Sequence, residues 1–262
     1  MPDPGRIAVF GGVYNNYLAL EAALSSARRH AVDAVYCLGD LGAFGPNPDR
    51  VFPLLREHGV LCIQGNYDNS VGNGLADCQC GYTDPRDNHF ARLSYDYTLR
   101  NTCPENRAWM KELPEQRRVQ LGRYHVLMCH GSPRKMNEFL WESTTPTHFL
   151  GHLAAAHEAD VILATHTGIK WHRRLPGDRH FVNVGVLGRP ENDGRTNVWY
   201  ALLEARPEFR VEFVPVEYDH ERLAAEMRAE RLPEEFVATV LTGWWTTCLE
   251  VLPAKERRLG KY

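Results

Sequence analysis

Four residues whose side chains can bind a metal ion each follow a short apolar run in this sequence. They are the carboxylate Asp40, the amide Asn66 and the two imidazoles His130 and His166. Polar residues at the carboxyl ends of parallel strands meet at one edge of an α/β sheet, where ligands bind. One carboxylate, one amide oxygen and two imidazoles suit Mn, Fe, Zn, Co or Ni better than Mg or Ca. The pattern therefore predicts a transition-metal site.

Each of these residues also has a structural interpretation when it is taken alone. Gly-Asp and Gly-Asn pairs are common in turns, and a histidine after an apolar run is often a buried, hydrogen-bonded core residue. Four such residues after four separate strand-like runs are hard to explain as independent accidents. The metal interpretation is therefore favoured.

The elements that must position these residues can be predicted from the hydrophobic pattern. The first part alternates the strand-like runs RIAVF, AVYCL and VLCIQ with helical patterns over 17–29 and 48–57, which is typical of βαβ units with parallel strands. After Gln116 the strand-like runs follow one another with short gaps, apart from a helical pattern over 146–158, which favours antiparallel pairs. Helices over 220–230 and 233–241 follow. We expect an α/β fold with a mixed sandwich.

The 262 residues are expected to form a single domain. A segment at about 71–102 has no clear period and is rich in Gly, Asp, Asn and Tyr. Long irregular insertions in compact domains are often lids or binding loops, so we expect a lid-like insertion there. It contains Cys78, Cys80 and His89, which could be replacement metal ligands, although C-x-C is shorter than the usual C-x-x-C zinc spacing.

Composition and charge exclude several classes of partner. The net charge is −3 and basic residues are scattered, so no nucleic-acid partner is expected. No apolar run approaches the roughly 20 residues that span a bilayer, and no cationic leader is present, so we expect a cytoplasmic protein without a membrane partner. An odd count of seven cysteines, several of them in apolar runs, argues against a disulfide framework. The tryptophans are interpreted as core residues or as contacts of a homo-oligomer.

The stretch FGGVYNN at residues 10–16 has neither the spacing of a dinucleotide loop nor the ending of a phosphate loop. The ordered blocks GDLGAFGPNP, GNYD, MCHGSP, THTG and FVNVGVLGRPENDG resemble the calcineurin-like metallophosphoesterases, especially the small single-domain bacterial and archaeal phosphodiesterase branch. The resemblance implies a four-layer α/β/β/α sandwich with a two-metal centre between the sheet edges. It assigns the second metal position to Asp40, Asn66, His130 and His166.

The departures from this resemblance predict a degenerate first metal site. The family block D-x-H-G-N, aligned on Asn16, has Gly12 and Tyr14 in place of its Asp and His. The family block GHTH reads THTG at residues 165–168, so its last His is also missing. Asp40 with a phenolate from Tyr14 should not hold a first ion tightly, because a divalent ion normally needs about four donors. We therefore expect a mononuclear centre whose second ion is absent or weak.

The expected catalytic residues are Tyr67 and Asp68. Tyr67 replaces the His of the family block GNHD. It could give a proton to a developing alkoxide, since its unperturbed pKa is near 10, or it could only fill the volume of the imidazole. Phenolate ligation of ferric iron is a further alternative. Asp68 is expected to orient the same loop.

Contacts with a small phosphorylated substrate are expected from residues near the metal and in the insertion. These are Tyr14, Asn16, His89 and His172. His172 lies in the alternating run WHRRL, so it could equally be solvated surface.

The leading functional hypothesis is metal-dependent hydrolysis of a small phosphomonoester or phosphodiester. One alternative is a catalytically impaired binding or regulatory protein that keeps the fold. Another is a metal enzyme with a substrate that is not a phosphoester, since a fold does not determine a function.

Overall fold

Two five-stranded sheets form the centre of the protein, for which a computed structural model describes residues 5–205 and 208–258. The first sheet has the strand order β10-β9-β1-β2-β3 and the second the order β4-β5-β6-β8-β7. The strands are β1 Arg6–Phe10, β2 Ala34–Cys37, β3 Leu61–Cys62, β4 Arg117–Leu121, β5 Tyr124–Met128, β6 Val161–Ala164, β7 Lys170–Leu175, β8 Arg179–Val184, β9 Val198–Glu204 and β10 Arg210–Val216.

Helices cover the outer faces of the sheets. They are α1 Tyr17–Arg29, α2 Val51–Glu57, α3 Asn66–Asn73, α4 Pro85–Asn101, α5 Pro104–Lys111, α6 Thr147–Ala156, α7 His220–Ala229, α8 Glu234–Thr242 and α9 Ala254–Arg258, with a 3-10 turn at Pro48–Arg50. Side chains of α1, α2, α7 and α8 belong to the apolar cluster on the outer face of the first sheet, and side chains of α6 belong to the cluster on the outer face of the second.

Alternation along the strands builds the layers between these elements. In β1, Ile7 and Val9 point into the cluster between the two sheets, while Ala8 and Phe10 pack under the outer helices. In β6, Val161 belongs to the cluster between the sheets and Ile162 to the cluster under α6. Successive side chains of a strand point to opposite faces, so strands that are buried on both faces read as continuous apolar runs. The expected α/β fold with two mixed sheets and flanking helices is confirmed.

Most elements agree with the sequence pattern, with two differences. β1, β2 and β3 are parallel, as expected, and the pairs β4–β5, β7–β8 and β9–β10 are antiparallel. β5, β6 and β8, however, are parallel. Helix α6 connects β5 to β6 and strand β7 connects β6 to β8, so each connection can cross over to a parallel neighbour. The short gaps between the strand-like runs did not indicate these crossovers. The segment 71–102 is not irregular throughout, since α4 occupies its second half; the insertion's role as a lid stays a prediction.

No helix within residues 5–205 and 208–258 combines the length and the apolar character that crossing a bilayer requires.

The cluster between the sheets should dominate stability. Leu203 of β9 lies in that cluster and is fully buried, whereas Leu61 of β3 is 40% exposed. Leu203→Ala is expected to lower the free energy of unfolding by about 2–5 kcal/mol through lost transfer energy and a cavity. Leu61→Ala, the matched control, should change it by less than about 1 kcal/mol. Urea denaturation monitored by circular dichroism measures both, and equal effects would contradict the assigned layers.

Candidate metal centre

Loops at the carboxyl ends of four strands carry the four residues to one place. Asp40 follows β2 and Asn66 follows β3 in the first sheet, while His130 follows β5 and His166 follows β6 in the second. β2 and β3 are neighbours in one sheet, as β5 and β6 are in the other. All four side chains are at least nine-tenths buried. The site therefore lies where the edges of the two sheets meet.

Asp40, His130 and His166 form a compact cluster. Their ligand atoms lie within 4.8 Å of one another. Nε2 of His130 is 3.2 Å from Oδ2 of Asp40 and 3.2 Å from Nδ1 of His166. Nδ1 of His130 is 2.7 Å from the carbonyl oxygen of Leu38, which can only accept, so Nδ1 carries a proton there and Nε2 faces the cluster. A hydrogen bond that fixes the ring in this way is typical of metal-binding histidines.

Burial and mutual charge set the protonation of the cluster. Burial favours the neutral form of Asp40, but the charge and hydrogen bond of His130, the charge of His166 and the N–H of Tyr67 together outweigh it and hold the pKa of Asp40 below its ordinary value. Burial likewise opposes a charge on His130, yet Asp40 raises the pKa of His130 above its ordinary value. Burial, and then the charge of His130, lower the pKa of His166 to about 3. His166 is therefore neutral at pH 7 and has a lone pair for a metal ion.

Asn66 contributes an oxygen with no partner. Its Nδ2 donates to the carbonyl of Cys78 at 2.8 Å, which fixes the orientation of the amide. Its Oδ1 is buried and has no hydrogen-bond partner among the described residues. A buried acceptor left unpaired costs about 1–3 kcal/mol, so native structures rarely contain one without a reason. An amide oxygen, a carboxylate and two imidazoles fit a transition-metal ion, and such an ion would satisfy Oδ1.

Asp68 holds the two metal loops of the first sheet together. Its carboxylate accepts backbone N–H groups from Gly65 at 2.8 Å, Asp40 at 2.8 Å and Leu41 at 3.0 Å. Gly65 must be glycine, since a Cβ there would lie 2.3 Å from Oδ1 of Asp40. Asp40 itself has φ +58°, a conformation that costs free energy in a residue with a side chain. The contacts of Asp68 are those of a positioning residue.

A small cavity of about 50 Å³ opens beside the cluster. A single water needs about 10–15 Å³ on this measure, so the cavity has room for an ion and a few waters. Its lining combines polar groups with an apolar wall and comprises Tyr14, Asp40, Ala43, Phe44, Asn66, Tyr67, Cys80, Tyr82, Phe90, Ala91, Ser94, His166, Arg189, Phe236, Thr247 and Cys248.

Tyr14 and Tyr67 are two of the three tyrosines that line this cavity. The hydroxyl of Tyr67 donates to Oγ of Ser94 at 3.0 Å, and Ser94 belongs to α4. Burial raises the pKa of Tyr67 and the pKa of Tyr14 well above their ordinary values. Both are therefore neutral phenols at pH 7 in the absence of an ion, and Tyr67 is a proton donor rather than a base.

Three expected substrate contacts lie elsewhere. Asn16 caps α1 by accepting the N–H of Ala19 at 3.0 Å and donates to the carbonyl of Gly188 at 3.1 Å, so both ends of its amide serve the fold. His89 is exposed and stacks edge-on against Phe90. His172 lies on the edge strand β7, is exposed, and its Nε2 is 2.9 Å from Nδ1 of His180. None of the three lines the cavity. The exposed position of His172 fits the alternative interpretation, in which it is a solvated surface residue.

Cys78 and Cys80 form a disulfide with each other. The sequence predicted no disulfide framework and raised these cysteines as replacement metal ligands. They cannot be thiolate ligands while paired, and the third member of that group, His89, faces solvent. Cysteines Cys37, Cys62 and Cys129 are free and buried, as their apolar runs predicted.

Several cavity residues were not predicted. Ser94 was missed because α4 was not recognised as a helix, and Cys248 because the chain returns to the site after α8. Arg189 lies in the block FVNVGVLGRPENDG, which contributed only to the family resemblance. Arginines are rarely buried, so an arginine directly after the apolar run VNVGVLG is unusual. The block GRPEND was therefore the signal that could have indicated a functional arginine.

Comparison with known proteins gives the same fold. Residues 6–207 match the model of the calcineurin-like phosphoesterase superfamily domain. An uncharacterised protein of Methanocaldococcus jannaschii is 26% identical over 244 residues, which are 87% of this chain and 94% of that protein.

Two solved structures superpose over nearly the whole chain. A metallophosphoesterase from Sphaerobacter thermophilus is 27% identical with a TM-score of 0.69, over 92% of this chain and 100% of that chain. A hypothetical protein from Pyrococcus horikoshii OT3 has a TM-score of 0.78 over 92% of this chain and 99% of that chain; its 21% identity supports the fold alone.

The positioning role of Asp68 predicts a large loss of stability. Asp68→Ala leaves three buried backbone N–H groups unpaired, and each costs about 1–3 kcal/mol, so we expect at least about 3 kcal/mol of destabilisation. Asp219→Ala is the control, because Asp219 accepts one N–H at the start of α7 and its loss should cost about 1 kcal/mol. Urea denaturation of the metal-free protein measures both. Similar losses for the two variants would reject the role of Asp68.

Proposed function

The chain belongs to the calcineurin-like phosphoesterase superfamily, and we propose that it hydrolyses a small phosphomonoester or phosphodiester with one bound metal ion. The proposed ligands are Asp40, Asn66, His130 and His166. The proposed substrate is a small phosphorylated molecule rather than a nucleic acid or a membrane lipid, in keeping with the net charge of −3.

The observation that carries the proposal is the unpartnered Oδ1 of Asn66 in the cavity that Asp40 and His166 also line. An Asn that only supported a loop would pair its oxygen with a backbone N–H, as Asn183 does with the N–H of Gly185 at 3.0 Å. Asn66 instead has its N–H groups bonded and its oxygen free. That arrangement suits a ligand of a cation.

A single ion is supported by what fills the neighbouring space. At Gly12, a Cβ would lie 2.7 Å from Cε1 of Tyr14 and 2.7 Å from Cγ1 of Val186. A carboxylate at position 12 therefore has no room while the Tyr14 ring is present. Tyr14 is buried with a raised pKa, so it is a neutral phenol and a poor ligand. We therefore propose that, among the described residues, Asp40 is the only ordinary ligand left at the first metal position.

Hydrolysis adds water across the ester P–O bond, so that the hydroxyl goes to phosphorus and a proton goes to the leaving oxygen. Asp40, Asn66, His130 and His166 would hold the metal ion, which would supply Lewis-acid polarisation of a phosphoryl oxygen. The protein contributes the rest. Hydrogen bonds hold His130 and His166 in orientation, and Phe44 and Phe90 form an apolar wall of the cavity. The phenolic hydroxyl of Tyr67 donates to Oγ of Ser94 in the protein alone and would turn its proton to the leaving oxygen of a bound substrate.

Metal content tests the site directly. The protein should bind one transition-metal ion per chain, and Asn66→Ala should weaken that binding at least about tenfold because it removes one ligand. Asn73→Ala is the control, since Asn73 is exposed on the same helix α3. Mass spectrometry of metals and the metal-dependent rise in melting temperature measure occupancy. Two ions per chain, or none under metal-replete conditions, would contradict the proposal.

The same samples test turnover. Chromogenic phosphomonoesters and phosphodiesters should be hydrolysed by the metal-loaded protein and not after chelation or in Asp40→Asn. Ligand-induced stabilisation without product across such a panel would instead identify a binding protein.

Removing the hydroxyl of Tyr67 distinguishes a proton donor from a side chain that only fills space. If it protonates the leaving group, Tyr67→Phe should lower kcat by about 100-fold without changing metal content. Tyr95→Phe is the control, because Tyr95 packs against Tyr67 but donates to the carbonyls of Ser70 and Leu75 and does not line the cavity. Unchanged kcat in Tyr67→Phe would mean that the ring only fills space.

A further inference from the structure

Arg189 is a buried cation without a carboxylate partner. Arg189 is 7% exposed and lines the cavity of the candidate metal centre. Its Nε has no hydrogen-bond partner among the described residues, and no carboxylate of those residues forms an ion pair with it. By contrast, the half-buried Lys170 nearby is paired with Glu191. The structure around Arg189 therefore leaves its charge without a counter-charge.

Aromatic rings hold the guanidinium in place. It lies 3.5 Å from the ring centroid of Trp245 and 5.9 Å from those of Tyr14 and Phe44. A desolvated cation–π contact stabilises the guanidinium, but by less than the free energy that burying an ion costs. Arginine cannot lose its proton to avoid this cost. The stacking orients the group but does not by itself account for a buried charge.

The guanidinium occupies the side of the cavity next to the His166 loop. A Cβ at Gly168 would lie 3.3 Å from Nη2 of Arg189 and 3.1 Å from Cη2 of Trp245. A side chain at position 168 would therefore project into the space that Arg189 and Trp245 fill. The Arg189 charge thus lies beside the loop of a proposed metal ligand, and an anion in the cavity could contact both.

We propose that Arg189 binds the phosphoryl oxygens of the substrate and supplies the second positive charge of the site. This inference rests on the proposed one-metal phosphoesterase function. A planar guanidinium matches two phosphate oxygens at once, and such charge-assisted pairs are stronger than neutral hydrogen bonds. In a two-metal site a second ion stabilises the attacking and leaving oxygens. Here a fixed guanidinium stabilises the same negative charge without any further metal ligands.

Binding of inorganic phosphate tests the role of Arg189 without relying on turnover. Isothermal titration of the full chain, once metal-loaded and once chelated, should give a phosphate affinity that falls at least about tenfold in Arg189→Met. Arg189→Lys keeps the charge but loses the planar fork, so it should fall between the two. Arg56→Met is the matched control, because Arg56 stacks on Trp109 outside the cavity. Its phosphate affinity should equal that of the unsubstituted protein.

The outcomes separate this inference from the proposed function. Unchanged phosphate affinity in Arg189→Met, an equal loss in Arg56→Met, or no phosphate binding by the unsubstituted protein would overturn the role of Arg189. If Arg189→Met fails to fold, Arg189→Lys decides, and an affinity equal to that of the unsubstituted protein overturns it. A protein that binds no metal but loses phosphate affinity in Arg189→Met would reject the one-metal phosphoesterase and retain the anion site.

Discussion

The carboxylate of Asp68 is the constraint on which the site depends. It accepts backbone N–H groups from both loops that follow β2 and β3, and so fixes the separation of Asp40 and Asn66. Burial and the charge of Asp40 raise the pKa of Asp68 to about 7, while the three N–H groups act in the opposite direction. Charging two neighbouring buried carboxylates is costly, and a cation in the cavity would lower that cost. The same buried carboxylate of Asp68 therefore holds the two loops in position and, together with Asp40, favours a cation in the cavity.

Without a metal ion, a shared proton on His130 holds the Asp40, His130 and His166 cluster together. His130 shares its Nε2 between Asp40 and His166, and the raised pKa of His130 with the lowered pKa of Asp40 describes an ion pair held by one proton. A metal ion binds the same lone pairs, so it must displace this proton before it can bind. Asn66 has no such substitute, because an amide oxygen cannot be protonated at neutral pH. Its unpaired Oδ1 distinguishes a cation site from an ordinary buried His–Asp pair.

The sequence predicted the elements and the strand-end residues well, for a physical reason. Helix α1 has the predicted bounds 17–29, and the apolar runs before Asp40 and His166 are β2 and β6. Both signals are local, since a strand buried on both faces must be apolar along its length. The exposure of His172, in contrast, could not be predicted from the neighbouring sequence alone. The alternation in WHRRL allowed either face, and its edge position depends on how β7 pairs with β8. Likewise, only the tertiary fold brings Cys248 back to the cavity.

Arg189 and Tyr14 both bear on the proposal that only one half of a two-metal site is kept in this protein. The Tyr14 ring occupies the space at Gly12, and the guanidinium of Arg189 approaches the space at Gly168. Under this proposal the two large side chains occupy part of the space beside these loops that missing ligands would leave empty, and empty space costs stability in a close-packed interior. Under the same proposal the guanidinium supplies part of the positive charge that a second ion would bring, whereas a purely apolar side chain would not. A protein that only filled this volume would need no buried charge. Burying the charge of Arg189 costs free energy, and the proposed anion in the cavity would offset that cost.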